Sequence, residues 1–187
     1  MVRAVQVHAS ESLVEERRRV GIDKKDERWG GEWHFVNPPK RWHARLNADL
    51  FLALAPLARR AGLEPYGDNT GVFADPAQDW RVPDQVHARP ELGIEEGLSG
   101  ADLVVEIRSP GDESYEKLPF YAARAVGEVL IVHQDRKFEL YRLRDDGNYV
   151  VIEDGSGRVT SVPLQATFTT VEGPRLRIEW DGGWAQV

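Results

Sequence analysis

Three features of the sequence predict an α/β (α+β) fold with a β-rich C-terminal end. Residues 41–61 place Leu46, Leu50, Ala53, Leu54 and Leu57 at helical spacing. Residues 103–107 form a short run of branched apolar side chains around Glu106, which reads as a strand covered on both faces. After residue 128 every periodic segment alternates or is β-branched and aromatic, so the last third reads as strands.

In chain order, the segment 10–20 is a short helix: Ser10 caps it, acids lead, arginines follow, and Gly21 ends it. Residues 32–36 alternate as a strand that Asn37-Pro38-Pro39 breaks. The helix 41–61 contains Pro56, which is expected to kink it or end it early; if it runs on, Gly62 closes it. Residues 71–73 and 81–87 read as strands with a turn at Asp75-Pro76, and 103–107 is the central strand. A helix is expected over 115–126, capped by Asp112 or Ser114, with Pro119 acceptable only in its first turn. Residues 128–133 and 137–143 form a hairpin around Gln134-Asp135-Arg136, and further strands fall at 149–153, 159–162 and 176–180. With no repeat, low-complexity tract or linker in 187 residues, a single domain is expected over 1–187.

There is no cysteine, so disulfides, thiolate nucleophiles and cysteine-bound zinc are excluded. No apolar run approaches the roughly 20 residues that span a bilayer, and Met1 to Arg19 lacks a signal-peptide core, so a cytoplasmic protein without membrane contact is expected. The net charge of −7 argues against a strongly basic nucleic-acid coat. Its acids are concentrated in the centre: residues 63–116 hold thirteen Asp and Glu against three Lys and Arg. Most of them, such as Glu91 to Glu96, read as a solvated loop.

Glu106 is the exception. An ionised carboxylate inside an apolar strand needs a cation, and the candidates are a metal ion, Arg108 or Lys117. Strand alternation points Val104, Glu106 and Arg108 to one face and Leu103, Val105 and Ile107 to the other. One face therefore carries chemistry and the other carries core.

Val82-Pro83-Asp84, the run Asp102 to Pro110 around Glu106, and Glu116-Lys117-Leu118-Pro119-Phe120-Tyr121 occur in order. Upstream stand Asp26-Glu27-Arg28-Trp29-Gly30-Gly31-Glu32-Trp33-His34, Pro38-Pro39 and His43. Taken together these motifs resemble the Uma-two family, a restriction-endonuclease-like branch of the PD-(D/E)XK nuclease superfamily, over about residues 11–145, leaving 146–187 as a β-rich extension. The resemblance implies a mixed sheet flanked by helices, a divalent metal (Mg2+ or Mn2+) and hydrolysis of nucleic-acid phosphodiesters, DNA foremost. By motif position it makes Asp84 and Glu106 the metal ligands. The superfamily's lysine normally lies two residues after the second acid, where this chain has Arg108; in the family it is displaced onto the next helix, which makes Lys117 the matching residue. Glu27 matches an upstream supporting acid, with Glu32 and His43 as further candidates. Ala125-Val126-Gly127 departs from the family's glycine-valine before the hairpin, a difference in a turn.

Such residues suit the chemistry. A phosphodiester is an anionic, sluggish electrophile, and two carboxylates suit a hard ion that prefers oxygen ligands. A nearby lysine would orient the attacking water or offset charge on the phosphate. Each residue also has a plainer account: a Glu106–Arg108 ion pair, Asp84 as a strand terminator, Lys117 as a solvated helix lysine, and His43 as a packing or hydrogen-bonding side chain. Trp29, Trp33, Trp42 and Trp80 read as core or interface. The six tryptophans and the β-rich tail predict a homodimer. The rival to a nuclease is a non-catalytic nuclease-fold binding or assembly module, favoured by the acidic charge and by Arg108 in the usual lysine place.

Overall fold

A computed structural model describes residues 5–7, 9–152 and 155–187, the first three by backbone alone. It begins with β1 (Val5–Val7), α1 (Glu11–Val20), β2 (Glu27–Trp29) and β3 (Glu32–Phe35). Ser10 caps α1, its side-chain oxygen accepting from Leu13 N, and Gly21 ends it in the left-handed conformation, φ 74°. The long helix α2 (Arg41–Arg60) follows; it does not end at Pro56 but runs on, the second of the two expected outcomes, and Gly62 follows its end in the left-handed conformation, φ 78°. Its buried face, Leu46, Leu50, Leu54, Leu57 and Ala58, outweighs the one missing backbone bond. The carbonyl that loses its donor belongs to Leu52, whose side chain is exposed, so this side of the helix faces water.

Next come β4 (Glu64–Tyr66), β5 (Val72–Asp75), β6 (Asp79–Arg81) and β7 (Gln85–Ala88). The single strand expected at 81–87 is thus two strands in different sheets. Pro83 lacks an N–H for a ladder, and the chain crosses between sheets at Val82-Pro83-Asp84. The central strand β8 (Leu103–Arg108) leads to α3 (Leu118–Ala123), shorter than the expected 115–126. Pro119 lies in its first turn, and residues 114–117 form a turn before it. Neither Asp112 nor Ser114 caps it. Instead one Asp112 oxygen accepts from Ser114 N at 3.1 Å and Oγ at 2.8 Å, and the other accepts from Ser109 N, which folds the loop before α3 on itself.

The chain then forms the expected hairpin, β9 (Glu128–His133) and β10 (Phe138–Leu143), followed by β11 (Tyr149–Val151), β12 (Arg158–Ser161), β13 (Ala166–Val171), β14 (Arg175–Trp180) and β15 (Gly183–Gln186). Glu153, the end of the strand expected at 149–153, lies outside the described residues.

Among the described residues the strands form three sheets, ordered β1-β3-β2-β6-β5, β11-β10-β9-β8-β7-β4 and β12-β13-β14-β15. The six-stranded sheet is mixed: β8 and β9 are parallel, joined through α3, and its other pairs are antiparallel. Leu103, Val105 and Ile107 pack with α2 and with Phe168, Leu176 and Ile178 of the C-terminal sheet. Val104 packs on the other face with Phe120 and Tyr121 of α3. The alternation expected for β8 therefore holds, and the fold is a mixed α/β one, with helices covering both faces of the central sheet. No helix among the described residues is long and apolar enough to cross a membrane.

The C-terminal sheet is fastened by a buried acid. Glu128 accepts from Ser161 Oγ at 2.6 Å, Val162 N at 3.1 Å and Arg142 Nε at 2.8 Å. Ser161→Ala leaves one lone pair of a buried carboxylate without its donor and is expected to cost about 1–3 kcal/mol. Urea unfolding of the variant checks this, and an unchanged midpoint would contradict it.

Candidate functional site

The chain's crossing between sheets opens a cleft with about 80 Å³ of free space, lined by Lys25, Glu27, His43, Asp84, Glu106 and Lys117 among others. That volume holds several waters or an ion with part of its hydration shell. Asp84 immediately precedes Gln85, which pairs with Val105, so the register carries Asp84 beside Glu106. Asp84 Oδ2 accepts from Ile107 N at 2.8 Å and lies 3.2 Å from His43 Nε2, while Oδ1 accepts from Lys25 Nζ at 3.1 Å. Lys25 also reaches Asp68, at 3.2 Å. Burial alone would raise the Asp84 pKa, but the His43 hydrogen bond, Lys25 and the Ile107 N–H outweigh it and hold the carboxyl below its ordinary value.

Glu106 takes the opposite course. Its Oε1 accepts from Tyr121 OH at 2.6 Å and Lys117 Nζ at 3.1 Å, while Oε2 accepts no hydrogen bond from the described residues. Burial pushes the carboxyl up to about 7 against the pull of Lys117, with Asp84 and Glu27 raising it further. The two acids thus sit side by side with opposite tendencies, set by which of them meets more donors.

Lys117 is not the solvated lysine of the plain account: only 12 % of its side chain is exposed. It lies at the N-terminal cap of α3, and its Nζ stands 2.7 Å from Glu27 Oε1 and 3.1 Å from Glu106 Oε1. Burial would strip its proton, yet Glu106 and Glu27 more than compensate and raise its pKa. Glu27, on β2, is fixed by Val82 N at 2.9 Å and by Trp29 Nε1 at 2.8 Å. His43 lies on α2, its Nε2 3.0 Å from the Ile107 carbonyl and its Nδ1 buried without a partner, so Nε2 carries the hydrogen and donates. It is a hydrogen-bonding residue directly on Asp84.

Asp84, Glu106, Lys117, Glu27 and His43 are therefore brought together, and two other candidates are not. Glu32 lies at the turn joining β2 to β3, opposite Trp29, and does not line the cleft. Arg108 shares a face with Glu106, but its guanidinium lies over the Tyr115 ring, 4.7 Å from the centroid, and it lines a separate pocket. The Glu106–Arg108 ion pair does not form, because Lys117 takes that place.

The residues beside these have roles that the sequence alone does not assign. Tyr121 is four residues after Lys117, a helical spacing that could have pointed to a shared partner. Lys25 carries no local signal, since it reaches Asp84 across 59 positions. Trp29 touches Glu27, so a tryptophan does stand beside the site, stacked on His34 at 4.0 Å. Arg81 lies between the rings of Trp29 and Phe120, at 4.2 and 4.1 Å, and ties the sheet that carries Glu27 to the helix next to Lys117.

The family model Uma2, described as "Putative restriction endonuclease", matches residues 15–174, which reaches into the C-terminal sheet beyond the stretch carrying the sequence motifs. Among solved structures, the chain is similar to the crystal structure of "a putative nuclease belonging to DUF820" from Anabaena variabilis ATCC 29413. The TM-score is 0.59 at 14 % identity, over 74 % of this chain and 82 % of that one, a likeness of fold. Comparison with curated proteins gives no match.

Proposed function

The chain belongs to the Uma2 family, and from that premise we propose that it is a metal-dependent nuclease hydrolysing phosphodiester bonds of nucleic acid, with DNA as substrate. The observation that carries this reading is the buried Lys117 ammonium held between Glu27 and Glu106, in the same cleft as Asp84.

Asp84 and Glu106 suit a hard divalent cation, magnesium or manganese. Their donors are oxygens, Glu106 Oε2 is not engaged, and carboxylates outnumber ammonium groups in the cleft lining. Among the described residues no group of three or more His, Asp and Glu stands ready for one ion, so water and phosphate oxygens would complete the coordination. A bound ion of this kind supplies charge neutralisation at the phosphate and a more acidic attacking water.

The chain's own groups do the rest. His43 and the Ile107 N–H orient Asp84, and Tyr121 with Lys117 fixes one oxygen of Glu106 so that the other faces the cleft. Lys117 keeps its proton and sets a positive charge where negative charge develops on the phosphate. A homodimer belongs to the same reading, because a duplex presents two strands to cut.

One observation favours the non-catalytic alternative: Lys25 already stands 3.1 Å from Asp84 and neutralises it without an ion. Calorimetric titration of magnesium and manganese into the wild type and the Asp84→Asn, Glu106→Gln double variant separates the two. Binding in the wild type that the double variant loses, together with cleavage of single- or double-stranded substrates, is the expected result. Equal affinity in both proteins, without cleavage, would leave a binding module.

A further inference from the structure

Arg108 stands outside the cleft in an unusual setting. It lies two residues after Glu106 on the same face of β8, about 7 Å along the strand. Its side chain has no ion pair or hydrogen bond with the described residues, and its Nε is buried without a partner. This occurs in a chain where acids outnumber bases 31 to 24.

The nearby acids are already engaged. Glu139 accepts from Tyr115 OH, from Tyr141 OH at 2.7 Å, and is hydrogen-bonded to His133 Nε2 at 2.8 Å. Asp135 accepts from Lys137 N at 3.2 Å and pairs with Lys137 Nζ at 3.3 Å. Because Glu139 anchors the Tyr115 ring over which Arg108 lies, the guanidinium plane is held in place before any ligand arrives.

Arg108 lines a pocket of about 440 Å³ with Pro110, His133, Gln134 and Asp135. Arg108 and His133 pair in register at the carboxyl ends of the parallel strands β8 and β9, the end of a parallel sheet where ligands bind. Ser109 lines the cleft and Pro110 this pocket, so the two share one loop.

We propose that this pocket is a phosphate subsite, receiving a phosphodiester group of the nucleic-acid strand adjacent to the one positioned for cleavage. A planar guanidinium with unused donors matches phosphate oxygens bidentately. The subsite rests on the nuclease reading for its place on the strand, but not for its chemistry.

The test uses the full chain, labelled with nitrogen-15, in EDTA so that nothing is cut. The Arg108 Nε–Hε resonance, assigned by its loss in Arg108→Lys, is followed during titration with inorganic phosphate and then with a hexathymidylate. A saturable shift with both is expected. Arg108→Met is expected to lower the slope of log affinity for the oligonucleotide against log salt by about 0.7, one phosphate contact on a single strand. If that variant does not fold, the wild-type titration with phosphate alone still decides. No saturable shift, or an unchanged slope in folded Arg108→Met, overturns the subsite, and cleavage by the wild type in manganese would then leave the nuclease reading intact. A phosphate-dependent shift without any cleavage would keep the pocket and remove the nuclease.

Discussion

Lys117→Met is expected to slow hydrolysis by about a hundredfold to a thousandfold in single-turnover assays and to destabilise the fold by roughly 3–5 kcal/mol. Both effects come from one position. The ammonium lies 2.7 Å from Glu27 and 3.1 Å from Glu106, and both side chains are buried. Its removal leaves two carboxylates facing each other without a cation. They respond by taking up a proton or by straining the cleft, and either response costs stability. A double variant, Glu27→Gln with Lys117→Met, separates the roles: it removes most of the uncompensated charge and should recover much of the stability, while the rate stays low. Urea unfolding and single-turnover cleavage measure the two effects independently. Full activity in folded Lys117→Met alongside a folded but inactive Arg108→Met would move the catalytic cation to Arg108.

The features legible in the sequence were those carried by short-range patterns. Ser10 and Gly21 bracket α1 because capping is local, and the alternation of 103–107 assigned both faces of β8 because a strand's period is two. The convergence of Asp84, Glu106 and Lys117 is what the resemblance to the family implies, but the charge balance among them is not. That balance depends on Glu27, which the family resemblance points to, and on Lys25, which reaches Asp84 from far away in the chain and which no periodicity could announce. Pro56 leaves two outcomes open in the sequence, an early end or a helix that runs on to Gly62, because local propensity opposes the leucine face; burial of that face decides for the second. The short strands β2 and β4 are not legible for a related reason: three residues containing Glu, Arg or Pro have no alternation to read, and only pairing with β3 and β7 makes them strands. For Arg108 the strand period gives the face but not the neighbours, since side-chain direction along a strand does not fix which pocket a long side chain enters.

The stability of the wild type is expected to fall by roughly 3 kcal/mol between pH 7 and pH 4 on account of His87 alone. This histidine sits on β7, paired in register with Leu103 and Pro65, fully buried, and neither ring nitrogen finds a hydrogen-bond partner among the described residues. Burial lowers its pKa from 6.5 to about 4. In the unfolded chain the ring binds a proton near 6.5, whereas in the fold it does so only near 4. Between those values the unfolded state holds more protons, so stability drops as the pH falls, and the loss is complete once both states are protonated. The contribution is therefore fully present above about 6.5 and absent below about 4. Other carboxylates titrate in the same range, so the informative quantity is the difference from His87→Leu, which cannot take up the proton. That variant also removes two unpartnered polar nitrogens from an apolar setting, so at pH 7 it should be as stable as the wild type or more so. Urea midpoints of both proteins across pH 4 to 7 should diverge progressively toward acid. Parallel curves, or a His87 ring that titrates near 6.5 by NMR, would show that the fold admits the charged imidazole without cost.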